Sequence, residues 1–223
     1  MMTGLKRVLL LVMGSLGMVG LLLGVMQTTA VEAAPTAACT VRVNSTNTNY
    51  GDLQSAINNA NPSGDLLKVA GDCVGTTTVN GSGQVGYITQ PLTLRGGYTT
   101  TNWVTSDPIA NPTTLDADST GRVLVISPTV SSAITVENLN LTGGSVIDID
   151  GGGVYITGTA EVVLNQLNIF GNVADWSDDF GYGGGIYNAA VLTVTNSAIY
   201  QNYTGDEGGG LYTEMGSTTA VQN

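Results

Sequence analysis

Three acidic pairs stand just before glycine clusters: Asp148 with Asp150, Asp178 with Asp179, and Asp206 with Glu207. Carboxylates recurring at one place in a repeat could be stacked into calcium sites, since calcium takes about six to eight oxygen ligands. The plainer reading makes them solvated turn residues, and it is preferred because no fixed ligand spacing of a calcium loop is present. Two carboxyls roughly 5 to 9 Å apart are also what a glycosidase needs, a spacing that Asp148 and Asp150 on one strand could meet. The chain has no histidine, which excludes His-based metal sites and Ser-His-Asp triads. Trp103 and Trp176 could each lay an indole face on a sugar ring or a partner, or fold back to pin their own loops. These arrangements require no cofactor, and the only one they admit is calcium.

What must position these residues is a repeat. Glycine is 31 of 223 residues, and it is clustered. Gly151-Gly152-Gly153-Val154-Tyr155 recurs as Gly183-Gly184-Gly185-Ile186-Tyr187 and as Gly208-Gly209-Gly210-Leu211-Tyr212, at offsets of 32 and 25 residues. Units of this length signal stacked repeats. A second element keeps step with the first. Ile134, Val136, Asn138, Leu139 and Leu141 match Val162, Leu164, Gln166, Leu167 and Ile169, and then Leu192, Val194, Asn196, Ser197 and Ile199. Period-two alternation predicts strands, and the amide residue shifts the phase by one, which predicts a corner. Short strands joined at repeated corners describe a coil, and coils stack through parallel hydrogen bonds about 4.8 Å apart. Asn138, Gln166 and Asn196 should then form an amide ladder, with Asn223 in the same corner position. Tyr155, Tyr187 and Tyr212 should stack as a column rather than form a binding site.

Upstream, Leu92-Thr93-Leu94-Arg95-Gly96-Gly97 echoes Leu139-Asn140-Leu141-Thr142-Gly143-Gly144, so the coils begin early. Residues 98–119, with Trp103, Pro108 and Pro112, are predicted to leave the coil as an excursion. Leu53 to Ala60 is predicted to be a short helix, with Leu53, Ala56, Ile57 and Ala60 on one face and Asp52 as its N-cap. Such a helix would cover the first coil and hide its unpaired edge. No comparable cap is read at the other end. The chain stops in mid-coil, which reads as a fragment of a longer protein, or a truncated gene product, whose remaining coils and anchor are missing.

Lys6 and Arg7 precede an apolar run from Val8 to Met26 and then small residues up to Ala34, the order of a secretory signal, with Val31 and Ala33 fitting cleavage after Ala33. The run nearly suffices for an uncleaved anchor, though Gly14, Gly17, Gly20 and Gly24 dilute it. The net charge is −11, and only Arg42, Lys68, Arg95 and Arg122 are basic after the leader. Such a surface repels nucleic acid and anionic lipid and favours cations or basic partners. Membrane contact is expected only through the N-terminal segment or a C-terminal anchor beyond the sequence. The two cysteines, Cys39 and Cys73, lie in the exported part, where one disulfide is expected to close the N-terminal end. Spacing alone leaves two free buried thiols as the alternative.

Taken together, the Gly-Gly-Gly-aliphatic-Tyr units, with Ile169-Phe170-Gly171-Asn172 and Ile199-Tyr200-Gln201-Asn202, resemble the pectin-lyase-like β-helix proteins and, among them, the polymorphic outer membrane protein repeats of bacterial surface proteins. The resemblance covers residues 130–223 well. The opening, from Asn44 through the helix to Gly64-Asp65-Leu66, is similar to the N-terminal cap of such exported proteins. The resemblance implies a right-handed parallel β-helix displayed at or beyond a bacterial cell surface. It also brings polysaccharide lyases and hydrolases into view. A lyase of that kind would use an Arg or Lys base beside calcium, and none of the four basic residues neighbours the acidic pairs in sequence. Asp178-Asp179 matches the Asp doublet of the polygalacturonase-like members, but their essential histidine is missing here.

The reading is an all-β chain, a right-handed parallel β-helix solenoid with a short N-terminal capping helix. Residues 1–33 are a signal peptide or retained anchor, 34–75 the cap and first coils, and 76–223 further coils that end incomplete. The expected function is non-enzymatic adhesion or surface display toward an extracellular or cell-surface glycan or protein. The alternative is a polysaccharide-active lyase or glycoside hydrolase.

Overall fold

The computed structural model describes residues 38–177 and 181–223; the expected leader lies outside them. The described chain opens with an antiparallel hairpin of β1 (Thr40–Val43) and β2 (Thr48–Tyr50), followed by α1 (Leu53–Asn58). The first coil holds β3 (Leu66–Ala70), β4 (Asp72–Val74), β5 (Thr77–Val79) and β6 (Ser82–Ile88), and the second β7 (Leu92–Tyr98), β8 (Thr114–Asp116) and β9 (Arg122–Ile126). The third coil is β10 (Ser132–Thr142), β11 (Ser145–Ile147) and β12 (Val154–Ile156), and the fourth β13 (Ala160–Phe170), β14 (Val173–Asp175) and β15 (Ile186–Asn188). The fifth runs through β16 (Val191–Thr195), β17 (Ala198–Tyr200), β18 (Tyr203–Thr204) and β19 (Leu211–Thr213), and β20 (Thr218–Gln222) starts the next. The result is a parallel β-solenoid of about five turns, with very little helix.

Apart from the antiparallel hairpins β1–β2 and β5–β6, strands pair with their counterparts one coil away, and the described residues form an 11-stranded sheet, a 3-stranded sheet and a 6-stranded sheet. From β3 onward the pairing between coils is parallel. Registers carry the predicted inward residues directly over one another: Leu94, Val136, Leu164 and Val194 form one column, and Leu115, Leu141 and Ile169 another. All of these are buried in a single core. Because inward residues repeat at one height per coil, each coil buries its apolar edge only against its neighbours.

The predicted corner residues adopt the left-handed conformation, with φ of 60° at Asn138, 53° at Gln166 and 49° at Asn196. Asparagine tolerates that region better than most residues, so the chain turns there without leaving the sheet. At the glycine clusters the reason is close approach. A Cβ at Gly152 would lie 2.2 Å from the Val173 carbonyl oxygen, and one at Gly184 would lie 2.0 Å from that of Tyr203.

α1 is capped by Asp52, whose side chain accepts a hydrogen bond from the Ser55 amide at 2.7 Å, and the helix ends at Asn58 rather than Ala60. Leu53, Ala56 and Ile57 are buried. The disulfide between Cys39 and Cys73 is formed and ties the chain before β1 to β4. The segment expected to stay out of the coil over 98–119 rejoins it early. Thr114–Asp116 pairs with both β4 and β10, so the departure from the coil spans 99–113.

Candidate functional site

Of the acidic pairs, Asp148 with Asp150 and Asp206 with Glu207 sit in the turns between the 3-stranded and 6-stranded sheets. Asp148 has a φ of 57°, and its two carboxylate oxygens accept from the Ser177 amide and hydroxyl of the next coil, both at 2.6 Å. Asp150 accepts from the Tyr182 amide at 2.9 Å. These carboxylates thus fasten the turn of the following coil, a use that sequence spacing does not reveal. Asp178 and Asp179 lie outside the described residues. Asp206 and Glu207 are exposed, and the Glu207 carbonyl accepts from the Gly183 amide at 3.1 Å. Among the described residues no group of three or more acidic, cysteine or histidine side chains is gathered as a metal would need.

The amide residues part ways with simple stacking. Asn138, Gln166 and Asn196 occupy one corner, but Asn138 donates to the Ser106 hydroxyl at 2.9 Å and Asn196 to Asn165 Oδ1 at 3.0 Å. A left-handed backbone directs each side chain to its own surroundings. Asn223 is exposed and lies next to Gln222, the register partner of Thr195. A buried amide network runs through other residues. Asn172 Oδ1 accepts from the Gly144 amide at 2.9 Å, and its Nδ2 donates to the carbonyls of Leu141 and Phe170, each at 3.1 Å, and to Asn202 Oδ1 at 3.0 Å. Asn202 repeats the pattern by donating to the Ile169 carbonyl at 2.8 Å. The repeated Asn that closes Ile169-Phe170-Gly171-Asn172 and Ile199-Tyr200-Gln201-Asn202 was the available signal.

Three of the four cations after the leader stand in one outward row. Arg42, Lys68 and Arg95 are register partners on β1, β3 and β7, and Glu137, Asn165 and Thr195 continue the row. Arg95 Nε meets Glu137 Oε1 at 2.6 Å. Lys68 Nζ donates to the Trp103 carbonyl at 2.7 Å and lies 5.5 Å from the Tyr98 ring centroid. The Arg42 guanidinium lies 5.7 Å from the Trp103 ring. Trp103 is therefore held against the solenoid, with Tyr98 6.1 Å away. Trp176 also folds inward, its Cδ1 lying 1.5 Å from where Gly205 would carry a Cβ, yet it stays 51 % exposed.

The tyrosines form their column on the outer side of the 6-stranded sheet. Tyr155 and Tyr187 stack at 5.1 Å, and Tyr187 and Tyr212 at 5.6 Å. The Tyr187 hydroxyl donates to Glu214 at 2.6 Å; burial and this acceptor push its pKa well above the ordinary tyrosine range. At the other end the Arg122 guanidinium lies 4.8 Å from the Tyr155 ring. Burial lowers the Arg122 pKa, against the opposing pull of Tyr155 and Asp150. Beside it opens a hollow of about 150 Å³, edged by Val79, Asn80 and Ser82 of the β5–β6 hairpin and lined by Gln84, Arg122 and Ser127. The hollow was missed because its residues are spread over three coils. Gly86-Tyr87-Ile88 against Val154-Tyr155-Ile156 carried the hint.

Compared with known proteins, the chain matches no family model, no curated protein and no solved structure.

Proposed function

We propose that this chain is a non-enzymatic extracellular or cell-surface solenoid, a right-handed pectin-lyase-like β-helix whose lateral faces serve adhesion or surface display. The observation that carries the reading is the repetition of contacts. Coil after coil is held to the next by the same registers and by outward residues that bind their own counterparts, as Tyr155, Tyr187 and Tyr212 do. Such a stack makes a stiff support with long flat sides. Right-handedness follows from the strong preference of parallel crossovers. The helix α1, with Leu53 packed on Gly86 of β6, acts as the cap of the first coil. The leader delivers the chain to an oxidising compartment, in keeping with the Cys39–Cys73 disulfide. The row of Arg42, Lys68 and Arg95 gives an otherwise acidic surface one place that attracts an anionic glycan or protein.

Incubating the chain with acidic polysaccharides tests the reading. Neither new reducing ends nor unsaturated uronates should accumulate, while the chain should be retained on glycan-bearing surfaces. Accumulation of either product would replace adhesion by a lyase or hydrolase.

A further inference from the structure

The tyrosine column is continued by a ring that the repeat does not supply. Tyr155 and Tyr187 stand 5.1 Å apart and Tyr187 and Tyr212 5.6 Å apart. Tyr182, from the turn between β14 and β15, stacks on Tyr212 at 4.6 Å with the ring planes 25° apart. The phenols of Tyr155, Tyr187, Tyr212 and Tyr182 thus follow one another in unbroken contact, and aromatic rings in contact can pass an electron vacancy from one to the next.

Charge is placed unevenly along this row. At one end the Arg122 guanidinium lies 4.8 Å from the Tyr155 ring, and a cation there disfavours removal of an electron. Toward the other end the neighbours are acidic. The Tyr187 hydroxyl donates to Glu214 at 2.6 Å. Burial, the charge of Asp206 and a hydrogen bond to it hold the Tyr182 phenol above its ordinary pKa, and burial with the charges of Glu214 and Glu207 does the same for Tyr212. A phenol held in its protonated form loses an electron most easily when its proton leaves at the same time, and a hydrogen-bonded carboxylate is placed to take that proton. An electron vacancy is therefore driven away from Tyr155 and toward Tyr212 and Tyr182, both of which are half-buried, whereas Tyr187 is 8 % exposed.

We propose that the tyrosine row is a site of one-electron oxidation whose radicals combine into a covalent bond between Tyr182 and Tyr212, joining the fourth coil to the fifth. The oxidant is hydrogen peroxide acting through a haem peroxidase. Each phenol gives one electron to the oxidant and one proton to a carboxylate. The two phenoxyl radicals then form a carbon–carbon bond between ring positions ortho to the hydroxyls, and the hydrogens displaced there return as protons to the phenol oxygens. The pair has lost two electrons and two protons, which reduce one peroxide to two waters. Tyr182 and Tyr212 couple because they are the closest rings of the row, at 4.6 Å, and lie at its acidic end. Tyr182 also stands outside the strands, so its ring can slide from face contact to the edge contact that the new bond requires. The cross-link does not depend on the adhesion reading.

The test is treatment of the full chain, at low protein concentration, with hydrogen peroxide and a haem peroxidase. The monomer should gain dityrosine fluorescence and lose the mass of two hydrogens, and digestion should release one branched peptide that holds Tyr182 and Tyr212. Tyr182→Phe and Tyr212→Phe keep the stacked ring and remove only a phenol, so each should abolish that peptide with the circular dichroism unchanged. Should one of them fail to fold, the other carries the comparison. Asp206→Asn should slow the cross-link at least about tenfold, because the proton acceptor of Tyr182 is lost. Tyr200 and Tyr203 are more open to solvent, 44 % and 56 % exposed, and would react first if accessibility alone decided. Cross-links mapped to those two, a product found only in dimers, undiminished fluorescence in folded Tyr182→Phe, an Asp206→Asn variant as fast as the parent, or no product at all would each overturn the proposal.

Discussion

Replacing Asn172 by alanine removes a side chain that is 0 % exposed and serves two coils at once. The Gly144 amide loses its 2.9 Å acceptor, and the carbonyls of Leu141 and Phe170 lose a donor. Asn202 Oδ1 loses the 3.0 Å contact from Nδ2 but keeps the one from the backbone amide of residue 172. One orphaned buried donor costs about 1–3 kcal/mol, and each of the three further neutral bonds about 1 kcal/mol, which together give roughly 4–6 kcal/mol. With a urea slope of about 2 kcal/mol/M, the unfolding midpoint should fall by roughly 2–3 M with the slope unchanged. The matched control is Asn140→Ala, which removes the exposed 2.9 Å contact from Asn168 and should move the midpoint by less than about 0.3 M. Asn172→Asp adds a sharper comparison. It keeps the acceptor for Gly144 but turns a carboxylate oxygen toward three other acceptors, so it should be worse than alanine at neutral pH and recover as acid protonates it. Equal losses for Asn172→Ala and Asn140→Ala, or an aspartate no worse than alanine, would refute the buried network as a source of cohesion between coils.

The disulfide should matter as much as a large core residue. It closes a 34-residue separation, for which chain entropy gives about 3.8 kcal/mol, so the double variant Cys39→Ser, Cys73→Ser should melt well below the oxidised chain. An unchanged midpoint on adding reductant would contradict this. Asp65 should make the N-terminal end sensitive to acid. Burial alone would raise its pKa, but hydrogen bonds from the Ser45 hydroxyl and from the amides of Asn61, Ser45 and Leu66 outweigh it and hold the carboxyl below its usual value. A folded pKa below the unfolded one stabilises at pH above about 4, and that stabilisation is lost as pH falls through the lowered folded value. Asp65→Asn should therefore melt lower than the parent at neutral pH, by less than about 1 kcal/mol since the site is exposed, and the gap should close in acid. A gap that stays constant down to acid pH would exclude the carboxylate as its cause.

The fold could be read because a stacked coil writes its geometry into the chain several times. Ile134 and Val136 before Asn138, with Leu139 and Leu141 after it, look like a broken strand when seen once. Seen again around Gln166 and Asn196, the break becomes a corner, and the left-handed φ values at all three are the physical cause of the phase shift. Features that occur once left no such trace. Strand Thr114–Asp116 has three residues, too few to show a period, and it follows Pro112, so it was lost within the excursion. Uses that depend on the partner coil were hidden as well. Nothing in Asp148 says that its oxygens will meet Ser177 rather than an ion, because the distance between two turns is set by the glycines between them. Asn172 could be seen to recur as Asn202, but its burial follows from the loop passing inward at Gly171, whose φ is 63°.

The same repetition bears on where a solenoid of this kind can recognise anything. When identical residues occupy one position in successive coils, each satisfies its neighbour, and the surface they make is closed to outside ligands. Tyr187 illustrates this, with a ring on either side and its hydroxyl on Glu214. Recognition needs a layer where the repeat is interrupted and the flanking layers are still in place. Val125 is such an interruption, bounded by Tyr87 and Tyr155 and supplied with polar groups by Gln84 and Arg122. Arg95 and Glu137 mark another break, where a row of cations gives way to an acid, but there the two charges close on each other at 2.6 Å. At Val125 the Arg122 guanidinium lies 4.8 Å from the Tyr155 ring and its Nε donates to the Asp150 carbonyl at 2.8 Å, so each interruption of the repeat is met by a charged side chain of the chain itself.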